Sequence, residues 1–380
     1  MPQAVTLAEV AGGRDNNFNL IRMIAASGVL VSHAFPIALG IGTRQPFEAA
    51  TGYTLGWIGV AIFFAISGFL ITRSFDRKSR IESWFSARVA RLFPGLIVVS
   101  ILIALFYGPV FTTLPAADYF TRVQTYTYVP RNVTLVSLQY GLPGVFTDHP
   151  YPVAINGSLW TLVHEVACYG GVFLAGIMGA LASRRLFFML CLLYAAAYVI
   201  TGLPLVAEVM PDKVAPLRLL SYPFVIGMVF YVWREHVRLS WIVAAALALL
   251  AAALRPTALF EPVFVAAIAY ATFVVAYLPG GLLRHYNRIG DYSYGMYVYA
   301  FPVQQAAVAV AGPMSPSMNI AIAFPVTLLF AIASWYAVEK PALDRRHRLA
   351  GWLGAWRSQP PVEAALPAGP GPAARSSPLD

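Results

Sequence analysis

The sequence predicts an all-α integral membrane protein: a bundle of about ten transmembrane helices with both termini in the cytoplasm. Three observations predict it. Of the 380 residues, 59% are hydrophobic and only 11% charged, with a mean hydropathy of +0.67, whereas soluble domains average roughly 25% charged residues. Ten apolar runs are long enough, or nearly so, to cross a bilayer: roughly 18–40, 56–75, 92–112, 158–181, 185–202, 217–233, 239–254, 258–278, 289–312 and 316–338. A cytoplasmic N-terminus then puts nineteen of the 26 Lys and Arg residues in inside segments and six outside, with Arg22 within the membrane.

Each stretch of the chain fits that plan in turn. Residues 1–17 are mostly polar or small and hold no apolar core with a cleavage site, so the first helix reads as a retained anchor. Residues 18–345 form the membrane domain. Within it, the external loop at about 113–155 is rich in Tyr, Pro, Gly and Asn and longer than a helix–helix connection requires. It is either an acceptor-binding lid or a structured cap over the bundle. Residues 346–380 form a cytoplasmic tail, rich in Pro, Ala, Gly and Ser from Ser358 onward and expected to be disordered.

The formal charge of +9 does not indicate nucleic acid. The basic residues sit in short clusters between apolar runs, where retention of inside loops accounts for them. Cys168 and Cys191 both fall in apolar stretches and read as small buried hydrophobes, so no disulfide framework and no metal site are expected.

Ionisable residues inside a spanning segment are costly and by default mark function. The first segment carries two, Arg22 and His33. Eleven positions at about 100° and 1.5 Å each put both on one face, roughly 16 Å apart along the axis. His33 lies in the outer half of its helix. The fourth segment runs the opposite way and places Glu165 at a similar depth. The pair reads as a general base, His33, oriented by a carboxylate, Glu165; a buried pair that merely joins two helices is the plainer alternative. His164 points about 100° away from Glu165, so only one of the two can face that partner.

Arg22 lies near the cytoplasmic end of its helix, where snorkelling to the headgroups competes with a binding role. Six basic residues follow the second segment, a cluster that inside loops produce on their own. Arg73 stands out because it sits at the membrane end. Arg88 and Arg91, three apart, occupy neighbouring helical positions and could fork a phosphate.

These residues resemble the bacterial membrane acyltransferase family 3, the O-acyltransferases that decorate nodulation factors, O-antigens, exopolysaccharides and some antibiotics. The resemblance spans about residues 15–345. NNFNLIRMIAASGVLVSH is similar to the family's opening helix, its Arg-x10-His motif falling on Arg22 and His33. GVAIFFAISGFLITRSF resembles its FF-x-x-SGFLI segment, and SARVARLFPG its R-x-x-R-x-x-P stretch. NGSLWTLVHEVACY resembles its W-x-L-x-x-E-x-x-x-Y signature, on Trp160, Glu165 and Tyr169. IGDYSYGMYVYAFPVQQ and WYAVEKPALDRR resemble its SY-x-x-Y and VEKP elements. Single elements are weak signals; six in order are strong. Many members place a His after the SY-x-x-Y element where this chain has Ala300, so any second-histidine role is absent.

By this resemblance the donor is acetyl-CoA or another acyl-CoA, held at Arg22, Arg73, Arg88 and Arg91. The acceptor is a carbohydrate hydroxyl, such as one on a surface polysaccharide or lipid-linked glycan. His33 and Glu165 are then catalytic, and Trp160 and Tyr169 contact substrate. Bacterial inner-membrane lipids and polysaccharide-biosynthesis proteins are the expected surroundings. Two other classes compete. A transporter or flippase would also bury polar residues among ten helices, but the chain shows no inverted repeat. A non-catalytic subunit is disfavoured by the intact His33 and Glu165.

Overall fold

The computed structural model describes residues 5–13, 15–77, 80–152 and 154–357. All ten apolar segments are helices: α1 Phe18–Leu39, α2 Leu55–Asp76, α3 Ile81–Leu102, α4 Trp160–Ile177, α5 Arg184–Ile200, α6 Val214–Val232, α7 Trp241–Leu254, α8 Phe260–Tyr277, α9 Ser293–Ala311 and α10 Pro316–Ser334. Among the described residues there are no strands beyond two isolated bridges, Thr6 with Arg238 and Thr112 with Val145. Seven helical runs, those of α1, α2, α3, α4, α6, α8 and α10, are long and apolar enough to cross a membrane, and α7 is a shorter apolar helix. The protein is an all-helical membrane protein.

Three boundaries depart from expectation. Helix α3 begins at Ile81, about ten residues before the apolar run that predicts it, and continues through a π turn at Ile103–Tyr107 to Phe111. Its first half is helical although basic, because Arg88 and Arg91 point into the bundle and not toward lipid. The tail expected from residue 346 starts as a twelve-residue helix, α11 Arg346–Arg357, packed along α3; its remainder lies outside the described residues. The loop at about 113–155 is partly helical and packed. It contains helices Ala116–Thr121 and Val123–Thr134, with Tyr119 and Tyr128 fully buried. The Tyr119 hydroxyl donates to the Ala104 carbonyl at 2.7 Å, inside the π turn of α3.

Helix α2 is the axis of the bundle, pressed between α1 and α6. Small residues permit the approach. A Cβ on Gly59 would sit 2.6 Å from the Ala25 carbonyl oxygen of α1. One on Gly68 would collide with the Phe224 carbonyl of α6, and one on Gly227 of α6 with the Ala65 carbonyl of α2. Close backbone contact through small side chains is how helices associate where lipid removes the hydrophobic drive. Here it fixes the Ser67-Gly68 step of α2, with Gly68 against α6 and Ser67 turned toward Glu165 of α4.

Candidate active site

Two cavities lie one beyond the other along this axis. The first, of about 520 Å³, lies toward the end of the bundle where α1, α3 and α9 meet. Its polar wall is Arg22 of α1, Ser67 of α2, Arg88 and Arg91 of α3, Glu165 and Tyr169 of α4, and Asp291 just before α9. Arg346, which opens α11, also lines it.

The arrangement of these groups follows from the helices that carry them. Arg88 and Arg91 are one turn apart on α3 and so share a face. Asp291 precedes Ser293, and its Oδ1 accepts from the Ser293 hydroxyl at 2.5 Å and backbone N–H at 3.3 Å, in the manner of a helix cap. That leaves Oδ2 turned toward the arginines, where Arg91 donates at 2.6 Å and Arg22 at 3.4 Å. Arg91 also lies 4.0 Å from the buried Glu339, in the π turn Trp335–Glu339 that extends α10. Glu165 accepts from the Tyr169 hydroxyl at 2.5 Å, one turn along α4, and from Ser67 at 3.3 Å. Arg88 is different: its Nε is buried without a hydrogen-bond partner among the described residues. The wall therefore holds more guanidinium groups than carboxylates, and one of them has an unmet donor. Such a surface suits an anion with several acceptor oxygens.

The second cavity, of about 420 Å³, surrounds His33 toward the opposite end of α1. Trp57, Tyr151, Trp160 and Phe301 give it aromatic walls, and Gln45 closes it above Ser32. Gln45 is held there by a hydrogen bond from the Ser32 hydroxyl. Burial pushes the Tyr151 hydroxyl above its ordinary value, keeping it a neutral donor. The His33 ring packs edge-on against Phe301, with centroids 5.2 Å apart, and its Nδ1 is buried with no hydrogen-bond partner among the described residues. Val60 of α2 and Tyr297 of α9 line both cavities and form the wall between them.

The structure thus gathers Arg22, Arg88, Arg91, Glu165 and Tyr169 in one cavity, and His33 with Trp160 in the other. Two sequence expectations need correction. Glu165 does not orient His33; the two residues line different cavities, and the carboxylate is committed to Tyr169 and Ser67. Sequence depth fixes one coordinate only, and the Glu165 side chain turns toward α2 and α3. Arg73 does not join the anion-binding arginines. It donates to the backbone carbonyls of Ala11 at 2.8 Å and Gly13 at 3.4 Å, fastening the N-terminal segment to α2. His164 faces its own turn, with Nδ1 3.0 Å from the Trp160 carbonyl oxygen.

Asp291 is the residue that sequence reasoning missed. The signal was present: an acid beside the SY-x-x-Y element, at the end of an apolar run on the side that carries the arginines. Glu339, within the VEKP element, and Ser67, within SGFLI, were quoted in motifs but given no role.

Comparison with known proteins shows the family. A family model described as "Acyltransferase domain" matches residues 15–338. An O-acetyl transferase of Shigella phage Sf6 is 31% identical over 346 residues, covering 87% of this chain and 97% of that protein. Nodulation protein 10 of Rhizobium leguminosarum bv. viciae is 35% identical over 176 residues, 42% of this chain and 44% of that protein. No solved structure matches. With the family model spanning all ten helices, the chain belongs to this family of acyltransferases.

Proposed function

We propose that the protein is an integral-membrane O-acetyltransferase that takes an acetyl group from acetyl-CoA and places it on a carbohydrate hydroxyl. The observation that carries this reading is the pairing of two cavities across one thin wall. One offers guanidinium groups suited to the phosphates of a coenzyme A thioester; the other offers an unpaired imidazole among aromatic rings that suit the faces of a sugar. The name of one relative, an O-acetyl transferase, supports the acetyl group and its transfer to oxygen; the aromatic walls around His33 are what favours a sugar.

On this reading the donor phosphates lie at Arg22, Arg88 and Arg91, and the pantetheine arm runs along α1 toward His33. The imidazole of His33 accepts the proton of the acceptor hydroxyl as its oxygen attacks the thioester carbonyl. A carbon–oxygen bond forms, the carbon–sulfur bond breaks, and the departing thiolate takes the proton from His33. With Nδ1 buried, the other ring nitrogen, Nε2, is the one that serves both steps.

The proposed topology is ten spans in a bacterial inner membrane with both termini cytoplasmic, on the basis of the nineteen inside Lys and Arg residues. It opens the arginine cavity to the compartment that supplies acyl-CoA. A reporter fused after Ala350 should read as cytoplasmic; a periplasmic signal refutes the orientation. The function itself is tested with acetyl-CoA labelled in the acetyl group, membranes containing the protein, and the host's glycan fraction. Label should pass into alkali-labile esters on glycan. Transfer no greater than in membranes lacking the protein would sink the assignment.

A further inference from the structure

The wall between the two cavities is narrow and has one bulky member. Val60 and Tyr297 line both sides. The Tyr297 ring is fixed from two directions: its hydroxyl lies 2.6 Å from the Thr161 hydroxyl of α4, and the ring makes a T-shaped contact with Phe63 of α2 at a centroid distance of 5.9 Å. Both partners line the arginine cavity, so the ring is pinned at the inner end of that chamber. On the far side, Trp160 and Phe301 continue the aromatic wall around His33.

We propose that Tyr297, held by Thr161 and backed by Val60, is the specificity-determining residue for acyl length and restricts the donor to short acyl groups, acetyl foremost. The proposal rests on the acyl-CoA reading above. If the phosphates bind at Arg22, Arg88 and Arg91 and the base is His33, the thioester carbonyl must come to the boundary between the chambers. Whatever follows that carbonyl then has to fit against the Tyr297 ring. A methyl group fits beside a ring that a hydrogen bond holds still. A chain of several methylenes would need the ring to swing away, breaking its bond to Thr161 and its contact with Phe63. Opening that hydroxyl–hydroxyl bond is costly, because the Tyr297 hydroxyl loses its partner and Thr161 keeps only a long bond, 3.4 Å, to the Ser158 carbonyl. Val60 sets the remaining width.

The test compares acyl donors in the full-length protein purified in detergent, with acetyl-, butanoyl- and hexanoyl-CoA offered in turn. The wild type should favour acetyl over hexanoyl transfer. Tyr297→Ala should raise the hexanoyl-to-acetyl ratio of kcat/KM by at least about tenfold, since about 1.4 kcal/mol separates a factor of ten and one or two methylenes are worth that much in a tight pocket. Thr161→Val, which frees the ring but keeps its bulk, should shift the ratio in the same direction by less. If Tyr297→Ala does not fold, Val60→Ala decides, and should relax the preference alone. Unchanged ratios in every variant that folds and transfers acetyl would overturn the proposal. A wild type that transfers no acyl group from any donor condemns the acyl-CoA reading itself, a result the variant ratios do not produce.

Discussion

The cavity around Arg22 and the cavity around His33 share helices α1, α2 and α9, yet they treat their polar groups in opposite ways. In the first, every carboxylate is held by hydrogen bonds although guanidinium groups outnumber them. Asp291 spends one oxygen on Ser293 and the other on Arg91 and Arg22, and Glu165 is occupied by Tyr169 and Ser67. Only Arg88 retains a buried, unmet donor. In the second, no carboxylate lines the wall, and the central imidazole keeps a buried nitrogen without a partner. An interior that pays to bury ions satisfies them. In the second cavity the His33 Nδ1 and the Trp57 Nε1 are both buried without partners among the described residues, and the other imidazole nitrogen is left for a substrate. On the proposed function, the first cavity is the binding site for the donor's anion and the second the reaction chamber.

This contrast is sharpest as a crossed pair of substitutions. His33→Ala should reduce the turnover of acetyl transfer by about 10²–10⁴-fold, the usual span for a general base, while leaving acetyl-CoA affinity close to wild type. Arg88→Ala should do the reverse. Losing a charge-assisted hydrogen bond worth about 1.5–3 kcal/mol weakens donor binding about 10- to 100-fold, with a smaller change in turnover at saturating donor. Affinity is read by calorimetry on purified protein, turnover by label transfer. If His33→Ala weakens donor binding as strongly as Arg88→Ala does, the division of labour between the chambers is wrong.

Much of this was legible in the sequence, and the failures have physical causes. All ten helices are where apolar runs put them, because burial in lipid or core demands such runs whatever the tertiary arrangement. Arg22 and His33 share a stripe of α1 because helical geometry fixes that spacing. Helix α3 was cut short because a hydropathy window counts Arg88 and Arg91 against a span, although a cavity inside the bundle gives them a polar place to face. The partner of His33 was misassigned because axial depth says nothing of direction around the axis. Asp291 escaped because its importance lies in contacts 200 and 269 residues distant in sequence. Its two arginines were each visible; the acid that joins them was not.

Arg73 supplies the last comparison, and the smallest effect. By composition and position it resembles Arg88 and Arg91: a basic residue at the membrane end of a helix, on the same side of the bundle. Its donors, however, reach the carbonyls of Ala11 and Gly13, in the segment that leads into α1. Those carbonyls belong to a short turn after Leu7–Val10, and Leu7 is fully buried against the bundle. Arg73 therefore acts on how the N-terminus is seated, at a distance from the cavity that Arg22 enters. Arg73→Ala should leave acetyl-CoA affinity within about twofold of wild type, because hydrogen bonds at a partly exposed site contribute little individually, on the order of 1 kcal/mol to local stability. What it should change is the protection of the N-terminal segment, read as faster amide exchange or earlier proteolytic clipping before residue 15. A large drop in donor affinity, with the N-terminal segment as well protected as before, would return Arg73 to the anion-binding set and enlarge the first cavity's role at the second's expense.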